Sequence, residues 1–329
     1  MSLTPKEMLQ KIKGPLALLP THFNKDESLD LGAMRATAEF ALKSMEGKDG
    51  CVMIAGSTSE FYAMTDKESL DMIEAVADVI KGKVPLIAGT GRAATGLTID
   101  MSMKAQDAGV DLAMVSNPYY LMVTDEGLYR HFSKIAEALD IGVMIYDNPT
   151  TSKMNVPVDI MKRLSRIPNI IATKENSIDM DKIYWLTHET DSSEFIVTCG
   201  IGTNYYMYEA MLGVHAFVTD LMCIAPDLAY KMYDADCAKD YDAMKQVLDQ
   251  IVPYNKFIAK CVASRRIPTS IELAHGGRAT SVYQSVMKKA MELVGLPGGI
   301  VREPLENLSA TEVSDLRRAL LDSGIPVVK

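Results

Sequence analysis

No two of the five cysteines, Cys51, Cys199, Cys223, Cys237 and Cys261, form a C-x-x-C pair, and their number is odd. That argues against a disulfide framework and a structural zinc site, and it fits reduced thiols in a cytoplasm. Positive charge is also scarce. The 34 Lys and Arg against 43 Asp and Glu leave a net charge of −9, which argues against a nucleic-acid surface and against an anionic membrane as partner. No apolar run reaches the roughly 18 residues a membrane helix needs. The polar opening around Pro5 reads as neither a signal peptide nor an anchor. His22, His131, His188, His215 and His275 are scattered with no His-x-His pair, so no metal site is expected, nor any cofactor. A dinucleotide fingerprint is missing as well. Gly89-Thr90-Gly91-Arg92-Ala93-Ala94-Thr95-Gly96 has the wrong third spacing and no suitably placed acid, so these glycines read as turn residues.

What is present is an ordinary globular composition, 48% hydrophobic and 23% charged over 329 residues. Eight short apolar runs start near Leu16, Cys51, Pro85, Leu112, Val143, Ile170, Phe195 and Ala216. Amphipathic segments follow seven of them, over about 29–45, 66–80, 95–108, 125–138, 157–164, 179–188 and 205–211. Thr65 and Glu68 have capping-box spacing at the second segment. Apolar runs without alternation are strands covered on both faces, hence a parallel sheet. A count of eight predicts an α/β fold of the closed (β/α)8 barrel type over 1–225, with a doubly wound open sheet as the alternative. From 226 to 329 only helices are expected, at about 227–235, 240–258, 282–294 and 310–322. They would pack on the barrel or on a neighbouring subunit.

In such a barrel the C-terminal strand ends converge on one site. The sixth run, Ile170-Ile171-Ala172-Thr173, ends in Lys174. A strand-end lysine usually emerges into solvent. One held in a dry interior has a lowered pKa and can attack a ketone. The second run leads into Gly56-Ser57-Thr58-Ser59-Glu60 and the fifth into Tyr146-Asp147-Asn148-Pro149. An amine, a phenol and paired hydroxyls sharing one mouth are what imine chemistry on a 2-oxo acid requires. Gly200 and Val218, near the ends of the seventh and eighth runs, are further candidates to line that site.

These motifs, with Ser116-Asn117-Pro118-Tyr119-Tyr120, Ala172-Thr173-Lys174-Glu175 and Arg302-Glu303-Pro304-Leu305, resemble the dihydrodipicolinate synthase / N-acetylneuraminate lyase superfamily of Schiff-base-forming enzymes. The resemblance runs over essentially the whole chain. It implies Lys174 as the Schiff-base lysine and Tyr146 as the proton-transferring tyrosine. Ser57 and Thr58 would hold the substrate carboxylate and pass protons to that tyrosine. Tyr120 would enter the neighbouring subunit's site, in a homotetramer made of two tight dimers. The partner would be a small 2-oxo acid, pyruvate or a derivative.

Four positions depart from the pattern. Thr151 stands where dihydrodipicolinate synthases carry an arginine for a second carboxylate, and a hydroxyl lacks that bidentate charged grip. Ile201 stands among residues that in sialic-acid lyases contact sugar hydroxyls. Thr150 and Thr151 look more like the pattern of 2-oxo-3-deoxy sugar acid aldolases and dehydratases. Ser59 replaces a glycine expected in a tight turn, and Asp147 replaces an asparagine and would add charge near the site unless it points away. A lyase reaction through Lys174, aldol cleavage or dehydration, is the leading expectation. A metal-dependent lyase and a barrel that binds without reacting stay open as alternatives.

Overall fold

The computed structural model describes residues 2–265 and 282–328; His275 lies outside them. Strands β1 (Gly14–Leu18), β2 (Cys51–Ile54), β3 (Leu86–Gly89), β4 (Leu112–Ser116), β5 (Gly142–Asp147), β6 (Ile170–Glu175), β7 (Ile196–Cys199) and β8 (Ala216–Thr219) close a barrel in chain order. Every pairing is parallel, with β8 returning to β1 through Gly14–Ala216 and Leu16–Val218. The expected (β/α)8 barrel is therefore the fold, and the open-sheet alternative falls.

The strands are buried on both faces, with side chains alternating at period two. Leu16, Met53, Ile87, Leu112, Met114 and Met144 fill the barrel interior. Ala17, Val52, Ile54, Ala113 and Val115 face the surrounding helices. One irregularity matters for the site. Val143 pairs with Ile170 but Met144 pairs with Ala172, so β6 carries one extra residue. Without it Tyr146 would sit opposite Thr173; with it Tyr146 is abreast of Lys174. Bulges of this kind re-aim side chains beside active sites.

Helix α1 (Pro5–Leu9) precedes β1, and the helices between strands are α2 (Leu31–Ser44), α3 (Asp66–Ile80), α4 (Thr95–Asp107), α5 (Asp125–Glu137), α6 (Pro149–Ser152), α7 (Val158–Leu164), α8 (Met180–Glu189) and α9 (Thr203–Ala210). The capping box at α3 forms in both directions: Glu68 N donates to the Thr65 hydroxyl and Thr65 N donates to Glu68 Oε2. Helix α1 departs from the polar lead-in expected from sequence. Its Met8 and Leu9, with Ile12 beyond it, join the interior cluster and stopper the barrel's base.

After β8 come α10 (Leu221–Ile224), α11 (Pro226–Cys237), α12 (Tyr241–Gln250), α13 (Val252–Ser264), α14 (Tyr283–Leu293) and α15 (Ala310–Asp322). The single helix expected over 240–258 is two helices, because Pro253 sits in the first turn of α13 and has no N–H to continue α12. One apolar cluster runs from the outer wall of the barrel through Leu228, Met244, Tyr254, Val286, Met291 and Leu316. Among the described residues no helix is long and apolar enough to cross a membrane.

Candidate active site

The bulge in β6 places Lys174 in the interior with 4% of its surface exposed. Its Nζ lies 3.6 Å from the centroid of the Tyr146 ring and donates to Asn176 Oδ1 at 3.2 Å. Burial holds the ammonium's pKa below the usual lysine range, against the opposing pull of Tyr146 and Cys199. The dry lysine expected from sequence is present.

Tyr146 is buried in the same interior cluster as Val218. Its phenol oxygen accepts from Asn148 Nδ2 at 2.8 Å and lies 3.4 Å from Ser57 Oγ. Burial alone pushes the phenol's pKa up. The neighbouring Lys174 charge and the hydrogen bonds from Ser57 and Asn148 outweigh it, leaving the phenol below its ordinary value. Both groups are thus held below their ordinary values, which favours the deprotonated form of each.

The turn after β2 is held differently from expectation. The left-handed positions are Ala55 (φ 56°) and Glu60 (φ 52°), while Ser59 has no positive φ. Ser59 is instead bound on both sides: its hydroxyl donates to Leu19 O at 2.6 Å, and its carbonyl accepts from Thr21 at 2.5 Å. Ser57 is therefore the hydroxyl against Tyr146. Thr58 shares its hydrogen bond with Tyr283 at the start of α14, at 2.7 Å.

Asp147 and Glu175 alternate outwards from Tyr146 and Lys174. Both are fully buried, and Lys182 of α8 bridges them at 2.6 and 2.9 Å. Asp147 also accepts from Asn117 Nδ2 and Val156 N, each at 2.8 Å. The added charge of Asp147 is thus spent outside the site. Burial and the Asp147 charge push Glu175 well above the ordinary carboxyl range, against the Lys182 ammonium.

The remaining candidates divide. Gly200 is buried beside Asn176, its N–H donating to Glu175 O at 2.7 Å. A Cβ there would lie 2.1 Å from Asn176 Oδ1, so only glycine lets this loop reach the lysine's partner. Thr151 is exposed on α6 and turns its hydroxyl back to Asn148 O at 3.2 Å. Tyr120 is 74% exposed and outside the cluster, in a run with exposed Leu121 and Met122. Asn148, Asn176 and Tyr283 were not singled out from sequence. Asn148 lay inside a quoted motif, Asn176 directly follows another, and Tyr283 has no local signal at all. Among the described residues no group of three or more His, Cys, Asp or Glu could hold a metal ion.

The sequence profile of the dihydrodipicolinate synthetase family matches residues 11–322. A 4-hydroxy-tetrahydrodipicolinate synthase of Methanoculleus marisnigri is 31% identical over 94% of this chain and 98% of its own. The enzyme of the same name from Methanosarcina barkeri is 29% identical over 95% and 99%. Dihydrodipicolinate synthase from Aquifex aeolicus superposes with a TM-score of 0.82 at 25% identity, covering 96% of this chain and 100% of that one. A prophage protein of the dihydrodipicolinic acid synthase family from E. coli K12, solved in complex with pyruvate, superposes at 0.81 with 23% identity, covering 95% and 99%. This chain belongs to the dihydrodipicolinate synthetase family.

Proposed function

We propose that the chain is a Schiff-base-forming lyase that carries out aldol cleavage or condensation with pyruvate as the keto component. The observation that carries the reading is the buried Lys174 Nζ, 3.6 Å from the Tyr146 ring centroid at the C-terminal ends of β6 and β5. The family membership and the pyruvate in a structural neighbour support it.

The neutral amine attacks the keto carbon of a 2-oxo acid. Water leaves, and the protonated imine becomes an electron sink. The bond beyond the neighbouring carbon breaks, its electrons flowing to the imine, and an aldehyde departs. Protonation of the remaining enamine and hydrolysis of the imine release pyruvate and restore the amine. Tyr146 moves the protons, with Ser57 and Asn148 on its oxygen. Ser57 and Thr58 hold the carboxylate, and Gly200 and Val218 form the wall. Tyr120, in its exposed apolar run, fits a contact with a neighbouring copy in a homotetramer.

The same imine supports a second reading, dehydration of a 2-oxo-3-deoxy sugar acid, in which a hydroxyl leaves in place of the aldehyde. The neutral Thr150 and Thr151 favour such polyol acids over a substrate with a second carboxylate. Borohydride reduction in the presence of pyruvate tests the shared step: one adduct on Lys174 is expected, and its absence removes the proposal. Products from 2-oxo-3-deoxy sugar acids separate the two readings. Pyruvate plus an aldehyde means aldolase, and a dehydrated 2-oxo acid means dehydratase.

A further inference from the structure

Helix α14, far from the barrel in sequence, is fastened to the turn that follows β2 at three points. The Tyr283 hydroxyl and Thr58 Oγ1 share a hydrogen bond of 2.7 Å across 225 residues of chain. Gln284 Nε2 donates to Ser57 O at 3.3 Å and to the Tyr62 hydroxyl at 3.2 Å. One turn further on, Lys288 forms a buried ion pair with Glu60, whose other oxygen accepts from Arg302 N at 3.1 Å. The three contacts meet consecutive parts of a single short turn.

We infer that Tyr283 is a positioning residue: its phenol fixes the rotor of the Thr58 hydroxyl, so that this group faces an incoming substrate carboxylate. The inference rests on the function proposed above and adds to it a part for the C-terminal helices within the same chain. A threonine hydroxyl has one proton and free rotation about its C–O bond. A fixed neighbour that occupies one of its hydrogen-bonding directions leaves the other for ligand. The group is pre-oriented before the substrate arrives, which lowers the ordering cost of binding. Burial keeps the Tyr283 phenol protonated far above neutral pH, so it remains a neutral partner throughout the working range. Gln284 and Lys288 hold the backbone beneath, so the hydroxyl pair does not carry the helix's attachment alone.

The test compares pyruvate trapping by borohydride in the full chain and in Tyr283→Phe, Thr58→Val and the double variant. Tyr283→Phe is expected to raise the half-saturating pyruvate concentration about tenfold, the scale of one hydrogen bond, with the limiting trapping rate changed less than about threefold. The double variant is expected to match Thr58→Val, because the phenol acts only through the threonine. An unchanged half-saturation in Tyr283→Phe, or additive losses, overturns the inference. A second measurement needs neither turnover nor a change at 283. With tyrosines labelled at Cζ, Thr58→Val must shift the Tyr283 resonance, and a resonance that stays in place overturns the contact itself. If the unaltered chain traps no pyruvate, the proposed function falls and this inference with it, whereas a resonance that stays in place overturns this inference alone.

Discussion

Lys182 Nζ stands 2.6 Å from Asp147 Oδ2 and 2.9 Å from Glu175 Oε2, so one ammonium of α8 binds together the residues that follow Tyr146 and Lys174. With the cation removed, the buried Asp147 carboxylate would be left uncompensated beside the Glu175 carboxyl. Lys182→Met is therefore expected to cost about 3–5 kcal/mol, the scale of a broken buried pair. Urea unfolding at pH 7 measures it. A loss below about 1 kcal/mol would show that the cluster relaxes by taking up a proton.

Gly200 gives a test of close approach. Alanine there meets Asn176 Oδ1 at 2.1 Å and Glu175 O at 2.7 Å. The asparagine must move, and Lys174 loses the acceptor that orients it. Pyruvate trapping by Gly200→Ala is expected to slow about tenfold or more, with a small drop in melting temperature. A trapping rate equal to that of the unaltered chain would mean that Asn176 has no part in aiming the amine.

Tyr146→Phe separates imine formation from later proton transfer. The ring that packs under Lys174 stays and the phenol oxygen goes. Adduct formation should persist, while aldol turnover falls by about 10²–10⁴. Tyr146 opposes the lowering of the lysine pKa, so the acid limb of the trapping profile should move to lower pH. A limb that moves to higher pH contradicts this electrostatic account.

Glu209 on α9 is buried beside Cys199, and burial pushes its carboxyl up to about 8 from an ordinary 4.5, with Cys199 opposing. Below about pH 4.5 both folded and unfolded chains hold this proton, and the group's full contribution is present. Between 4.5 and 8 the unfolded chain ionises and the folded one does not, so stability is lost as pH rises, by at most about 1.4 kcal/mol per unit. Glu209→Gln should flatten that slope. Urea midpoints at pH 5, 6.5 and 8 measure it, and parallel curves for the two proteins would rule the carboxyl out as the cause.

The strands were legible because each is a short apolar run that two layers cover, and Lys174 was legible because it interrupts such a run at its end. The capping box at Thr65 was a local signal of the same kind. The β6 bulge was not legible. It depends on pairing with β5, and no residue in Ile170–Glu175 marks it. The bond from Thr58 to Tyr283 likewise joins residues that share no local pattern. Asp147 and Ser59 looked like departures when read singly. They became ordinary once their partners, Lys182 and Leu19, were in place.

The short first helix has a consequence for the packed interior of the barrel. Met8, Leu9 and Ile12 close the base of that core beneath Leu16, Met144 and Ile171, which belong to the same cluster. Shaving residues 2–12 would bare the underside of that packed cluster to water. The lysine would then lose its dryness from below, with every residue of its own neighbourhood intact.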